Sequence, residues 1–272
     1  MTIKLGDSGF CVGDIVVLKT PFVTGGDPDF ETSLEIVSKL PGAGADVIEL
    51  GIPFSDPMAD GPTNQASYLR ALKAGMTLVR LLDLVRKFRK ADKATPVVLM
   101  GAYNPIHAYG TARFMKDAAE TGVDGLLIVD VPPEEDEVLR LPAAAHGIDI
   151  VRFLAPTTDA ARLKVVLDGA TGYLYYASIA GITGTKSYDE DAVRRALADI
   201  HAATKLPCVV GFRNQDAGTG GRHRAFCRWG RGRLRDCGEN RVARGPGYET
   251  CRFGGRCDRF LRRPGEFRAC GG

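Results

Sequence analysis

Glu49 stands inside an apolar run, Ile48-Glu49-Leu50-Gly51-Ile52-Pro53-Phe54, and Asp60 follows in the turn Met58-Ala59-Asp60-Gly61-Pro62. The two carboxyl groups sit in unlike surroundings. A carboxyl enclosed by Ile, Leu and Phe resists ionisation, because burial penalises the charged form. Such a group gives and takes a proton near neutral pH. A carboxylate in a polar turn stays charged, so the pair divides acid–base labour between a shuttling group and a fixed anion. Each residue also has a plainer reading. Glu49 can face outward or mark a fraying strand end, and Asp60 can hydrogen-bond its own turn, as Asp before Gly often does. A third feature, Gly181-Ile182-Thr183-Gly184, is either an ordinary flexible loop or a set of backbone N–H groups that glycine lets approach a phosphate.

These residues need a frame, and the chain supplies short apolar runs separated by amphipathic stretches. The runs are Ile15–Leu18, Asp46–Leu50, Pro96–Met100, Gly125–Val129, Ile148–Leu154, Tyr173–Ala177 and Cys208–Phe212. Their near-continuous hydrophobicity fits strands covered on both faces. Between them Thr77–Arg89, Arg113–Thr121 and Asp191–Ala203 read as helices. Leu78, Leu81, Leu82, Val85 and Phe88 form one stripe. Asp29–Leu40 reads as a further helix with Asp29 as its N-cap. Alternation of this kind predicts a parallel sheet. Seven strands predict a (β/α)₈ barrel, which needs one more. A doubly wound open sheet is the competing architecture, weakened because Thr24-Gly25-Gly26-Asp27-Pro28 stands where a dinucleotide fingerprint would be expected. In a barrel, chemistry sits at the C-terminal ends of the strands, where Glu49, Asp60, Asn104-Pro105, Asp130-Val131-Pro132-Pro133 and the 181–185 loop all fall.

The chain has 272 residues, 44% of them apolar, enough for one barrel-sized core. Its net charge of +3 conceals two compositions. Residues 1–212 hold 21 Lys+Arg against 27 Asp+Glu, a net of −6, and residues 213–272 hold 15 Arg and no Lys against 6 acids, a net of +9. No segment reaches the ~20 apolar residues of a membrane span, and no secretory signal is read at the start. Only Cys11 and Cys208 precede residue 213, which suits a reducing cytoplasm.

The stretch Ile48–Gly61, IELGIPFSDPMADG, resembles the signature of the α subunit of tryptophan synthase along its whole length. The similarity continues through Pro21–Pro28, Gly101–Pro105, Val129–Pro132 and Gly181–Gly184, in order and with the family's spacing, from about Pro21 to Phe212. The resemblance implies a (β/α)₈ barrel that cleaves indole-3-glycerol phosphate to indole and glyceraldehyde 3-phosphate by a retro-aldol reaction. Glu49 is then the general acid–base, Asp60 the partner of the indole N–H, and Tyr175 the tyrosine that hydrogen-bonds near Glu49. Tyr176 points the other way. Phe22, Met100, Leu127 and Phe153 line the indole pocket. Thr183 closes over Asp60, Gly184 gives the phosphate an N–H, and Gly211 and Phe212 complete the substrate-binding set. The resemblance implies no metal and no organic cofactor. It implies one partner, the pyridoxal-phosphate-dependent β subunit in an α2β2 assembly, docked through Asp56-Pro57, Asn104-Pro105 and Asp130-Val131-Pro132.

The resemblance stops after Gly211-Phe212. The family continues with glycine, a helix, and an eighth strand ending in a phosphate-holding Gly-Ser. Here Arg213-Asn214-Gln215-Asp216 follows, and no strand run or helical stripe is read up to Gly272. The division is therefore a barrel domain over 1–212 and a basic, poorly packed tail over 213–272. Enrichment in Arg, Gly and Cys without Lys is what a GC-rich gene read out of frame produces. Two further readings stand beside the lyase. One is a catalytically impaired relic of the barrel. The other is a tail that binds single-stranded nucleic acid through its arginines, with Phe226, Trp229 and Phe253 as stacking platforms. No regular repeat supports the second of these. Upstream, Asn64 and Tyr68 stand where the family tends to carry apolar or small residues.

Overall fold

The computed structural model describes residues 10–12, 15–17, 19–177, 190–211, 241–245 and 248–252. Seven parallel strands run through it in chain order: β3 (Phe22–Thr24), β4 (Ile48–Gly51), β5 (Val97–Gly101), β6 (Gly125–Ile128), a fifth strand broken at Val151 into β7 (Asp149–Ile150) and β8 (Arg152–Leu154), then β9 (Leu174–Ala177) and β10 (Cys208–Gly211). Each pairs with the next, as β3–β4–β5–β6–β7 and β8–β9–β10. Helices α1 (Phe30–Lys39), α2 (Pro62–Lys73), α3 (Leu78–Phe88), α4 (Tyr103–Tyr109), α5 (Thr111–Thr121), α6 (Glu137–Ala145), α7 (Ala160–Leu167) and α8 (Glu190–Ala203) alternate with the strands. This is the wall of an α/β barrel.

Residue parity along each strand sorts the core into two layers. Ile48, Leu50, Val97, Leu99, Leu126 and Ile150 point outward and meet Leu81, Leu84, Val85, Phe88, Phe114 and Leu139 of the helices. On the β8–β10 side, Leu154, Leu174, Tyr176 and Val210 do the same against α7 and α8. The alternate residues Val47, Val98, Leu127, Val151, Tyr173 and Val209 pack on one another inside the barrel, with Met100, Val129 and Tyr175 beside them. The caps are local and legible: Asp29 accepts from the Thr32 N–H at 2.8 Å, Thr77 from the Arg80 N–H at 3.3 Å and Asp159 from the Arg162 N–H at 2.7 Å.

Two expectations are corrected. Ile15–Leu18 is not the first strand of the wall. Ile15–Val17 (β2) pairs antiparallel with Phe10–Val12 (β1), and the first parallel strand is Phe22–Thr24. The Pro21-Phe22-Val23 run was too short and too close to the Gly25-Gly26 turn to stand out as a strand. After Phe212, where no strand was expected, Arg241–Gly245 (β11) pairs antiparallel with Tyr248–Arg252 (β12). Pro246-Gly247 between them is turn chemistry, which the arginine content obscured. Among the described residues this ribbon is a sheet of its own and adds nothing to the parallel wall.

Candidate active site

Glu49 has the parity of Val47 and therefore faces the lumen, as the second residue of β4. It is 2% exposed. Burial in the apolar lumen pushes its carboxyl up to about 7, while a hydrogen bond from Tyr173 pulls in the opposite direction and loses. That bond runs from the Tyr173 hydroxyl to Glu49 Oε1 at 2.9 Å, wholly buried. Desolvation raises the Tyr173 phenol well above its usual range, and the Glu49 charge adds to this, so Tyr173 remains a donor across the working pH.

The tyrosine bonded to Glu49 is thus Tyr173, not Tyr175 as expected. Both lie on β9 with the same parity, and parity fixes the face but not the height. Barrel strands are tilted and staggered, so residues level in the lumen are not those that look level in sequence. Tyr175 sits one pleat higher. It stacks on Phe153 with ring centroids 5.1 Å apart and planes 16° from parallel. Its hydroxyl lies over Gly211, where an added Cβ would come within 2.0 Å of it. Burial first, then the charges of Glu49 and Asp60, push the Tyr175 phenol up, which places it near both acids.

Asp60 lies at the rim, half-buried, just before α2. Asn64 Nδ2 donates to its Oδ1 at 2.9 Å and Gln65 Nε2 to its backbone carbonyl at 2.9 Å. Asn64, a departure from the family, is thus a partner of the rim acid. The four-residue spacing across a helix start was the available signal.

The apolar positions fall around this pair. Phe22 is in register with Glu49 on the neighbouring strand, and Glu49 with Val98 on the other side. Met100 packs on the inner cluster and Leu127 is buried within it. Phe153 is 40% exposed at the open end of the lumen. Gly211 ends β10 beneath Tyr175. Thr183, Gly184 and Phe212 lie outside the described residues.

Asp56, Asn104 and Pro132 are exposed and Pro57 is half-buried, all just after the C-terminal ends of β4, β5 and β6. Asn104 is not in a loop as expected but in the first turn of α4. Proline tolerates early helix positions, so Pro105 does not prevent it. The Asp130 carboxylate accepts from the Tyr103 N–H at 2.8 Å at the start of α4, tying the segment after β6 to the one after β5. Among the described residues, no group of three or more His, Cys, Asp and Glu could hold a metal ion. No described helix is long and apolar enough to cross a membrane.

A parallel barrel with a desolvated, near-neutral carboxyl in its lumen and a second carboxylate at its rim defines an acid–base enzyme of the α/β-barrel class. The family model described as tryptophan synthase alpha chain matches residues 18–218. The tryptophan synthase alpha chain of Gluconacetobacter diazotrophicus is 55% identical over 192 residues, which are 71% of this chain and 70% of that one. Among solved structures, tryptophan synthase subunit alpha from Legionella pneumophila is 40% identical with a TM-score of 0.67, covering 73% of each chain. A chain of the tryptophan synthase a2b2 complex from Pyrococcus furiosus is 39% identical with a TM-score of 0.65, covering 72% of this chain and 78% of that one. The chain belongs to the tryptophan synthase alpha chain family, and it is of the lyase class. The family match ends at residue 218, so the basic tail lies almost wholly beyond it.

Proposed function

We propose that the barrel cleaves indole-3-glycerol phosphate with Glu49 as its single proton shuttle. The observation that carries this reading is a carboxyl held at about 7 inside an apolar lumen with, among the described residues, only a neutral phenol bonded to it. Near neutral pH both of its forms are populated. The neutral acid gives its proton to C3 of the indole ring. The ring nitrogen becomes positive, and Asp60 at the rim accepts its N–H and offsets that charge. The Glu49 carboxylate then takes the proton of the hydroxyl on the carbon attached to C3. The bond between C3 and that carbon breaks, its electron pair returns to the ring, and indole and glyceraldehyde 3-phosphate leave. Glu49 ends as it began, protonated, so no co-reactant is needed.

The apolar residues Phe22, Met100, Leu127 and Phe153 hold the ring and keep water out. Dryness is what holds Glu49 near 7, since water in the lumen would stabilise its anion. By the resemblance, Thr183 is assigned to the lid and Gly184 to the phosphate, and Gly211 and Phe212 complete the substrate-binding set. Tyr175, stacked on Phe153 and close to both acids, is assigned to the pocket wall and not to the Glu49 hydrogen bond.

Two structural assignments accompany this reading. Residues 1–212 are the catalytic unit and 213–272 a basic addition to it. The exposed Asp56, Asn104 and Pro132 and the half-buried Pro57, on three neighbouring segments around the mouth, form the docking face for a β subunit in an α2β2 assembly. Support comes from their common end of the barrel and from the relative whose structure is described as an a2b2 complex. A cytoplasmic setting fits the cysteine usage. The experiment is incubation of the chain with indole-3-glycerol phosphate and quantitation of indole. Indole production is expected, and its absence with added β subunit and a restored C-terminal segment would overturn the reading.

A further inference from the structure

Two side chains of α2 converge on Asp60, and nothing in the reaction outlined above uses them. Asn64 and Tyr68 are four residues apart on one face of the helix, in step with Asp60 four residues earlier. Asn64 Nδ2 already donates to Asp60 Oδ1 at 2.9 Å. The helix that carries them is pinned to the wall, with Ser67 Oγ 2.6 Å from Thr24 Oγ1 at the end of β3 and donating to the Asn64 carbonyl at 2.7 Å.

Tyr68 is 1% exposed. Its ring lies over Gly51 beside Phe22. A Cβ built on Gly51 would come within 2.6 Å of Phe22 Cζ and 3.2 Å of Tyr68 Cε1. Glycine at the end of β4 therefore makes room for two rings at the mouth of the lumen. The Tyr68 hydroxyl is buried and has no hydrogen-bond partner among the described residues. Buried hydroxyls are rarely left so. After burial itself, the group acting on this phenol is the Asp60 carboxylate, whose charge and side-chain contact raise its proton affinity, although no hydrogen bond of standard geometry joins the two.

We infer that Asn64 and Tyr68 are positioning residues that hold the Asp60 carboxylate toward the ring pocket, the amide by a standing hydrogen bond and the phenol by one completed when a ring fills the pocket. A carboxylate at a half-buried rim otherwise turns toward water. With one oxygen held by Asn64 and the group steadied by Tyr68, the remaining lone pairs face an incoming N–H. Both donors are neutral, so they orient the anion without cancelling its charge. The inference rests on the reading of Asp60 as acceptor of the indole N–H. It assigns that task to a trio on α2 and the turn before it.

The test is calorimetric binding of indole and of indene, its carbocyclic analogue without an N–H, to the full chain. The unaltered chain is expected to prefer indole. Tyr68→Phe and Asn64→Leu should each reduce that preference by roughly three- to tenfold, the worth of one hydrogen bond, and leave indene affinity unchanged. On an Asp60→Asn background neither should reduce it further, because residues that act through one group are not additive with its loss. A preference that is unchanged or raised in both variants overturns the inference, as does a loss that persists undiminished without Asp60. Loss of indene binding in Tyr68→Phe would assign that residue to ring packing and overturn its positioning role. Should the unaltered chain bind indole no better than indene, the reading of Asp60 fails first and takes the inference with it.

Discussion

Glu49→Gln keeps an acceptor for the Tyr173 hydroxyl and removes the ionisation, which makes it a probe of the lumen itself. In the folded protein the carboxyl titrates at about 7, against 4.5 for the free group. That rise corresponds to about 3–4 kcal/mol, at roughly 1.4 kcal/mol per unit. A raised carboxyl means that the folded state holds its proton where the unfolded state has released it. The contribution of Glu49 to stability is therefore fully present below about 4.5, is lost as pH rises through the window to about 7, and is flat above it. The glutamine variant lacks this slope. Its amide N–H₂ carries a fixed cost, but that cost is the same at every pH and cancels. Urea unfolding of both proteins at pH 5 and pH 8.5 should show the variant gaining about 2–3 kcal/mol on the parent between the two conditions. Parallel stability curves for the two proteins would refute the argument, because they would mean that Glu49 ionises as freely folded as unfolded.

Tyr173→Phe removes a hydrogen bond that favours the Glu49 anion, so the carboxyl should titrate higher and the midpoint of the pH–rate profile should move up; a midpoint that stays or falls contradicts the assignment. Asp60→Asn keeps an acceptor and removes the charge. It should lower kcat more than it alters KM, and an unchanged kcat would show that the charge is not used in the transition state. Replacing residues 213–272 with an end that supplies the eighth strand and its Gly-Ser turn should restore two phosphate donors. At about 1.5–3 kcal/mol each, these should lower KM for indole-3-glycerol phosphate by roughly 10²- to 10⁴-fold and raise the melting temperature. An unaltered KM would show that Arg213 or its neighbours already grip the phosphate.

The division of the strands into two faces was legible because period-2 alternation is local: Ile48 and Leu50 against Val47 and Glu49 need no knowledge of the rest of the fold, whereas which face meets the lumen does. The cap at Asp29 was legible because it too is local. Heights in the lumen were not. The pairing of Glu49 with Tyr173 across 124 residues depends on strand tilt and stagger, which no short stretch encodes. The first wall strand was missed because Phe22–Thr24 is three residues long and abuts a glycine turn, while the more apolar Ile15–Val17 forms a hairpin with Phe10–Val12. The Asn64–Asp60 bond sat in plain spacing, but the family resemblance drew attention to what Asn64 was not. The β11–β12 ribbon hid in a stretch whose arginines suppress any apolar pattern, although Val242, Tyr248 and Thr250 are strand formers.

The central claim is that one carboxyl in a dry barrel gives the ring its proton and takes the hydroxyl's. The most direct measurement follows indole and glyceraldehyde 3-phosphate together, from indole-3-glycerol phosphate, for the parent and for Glu49→Gln on the same C-terminal background. The account predicts the two products in equal amounts from the parent, and a loss of at least about 10²-fold in the variant with folding retained. Indole release that survives the substitution to within tenfold would contradict it, and the proton would then have to come from another group.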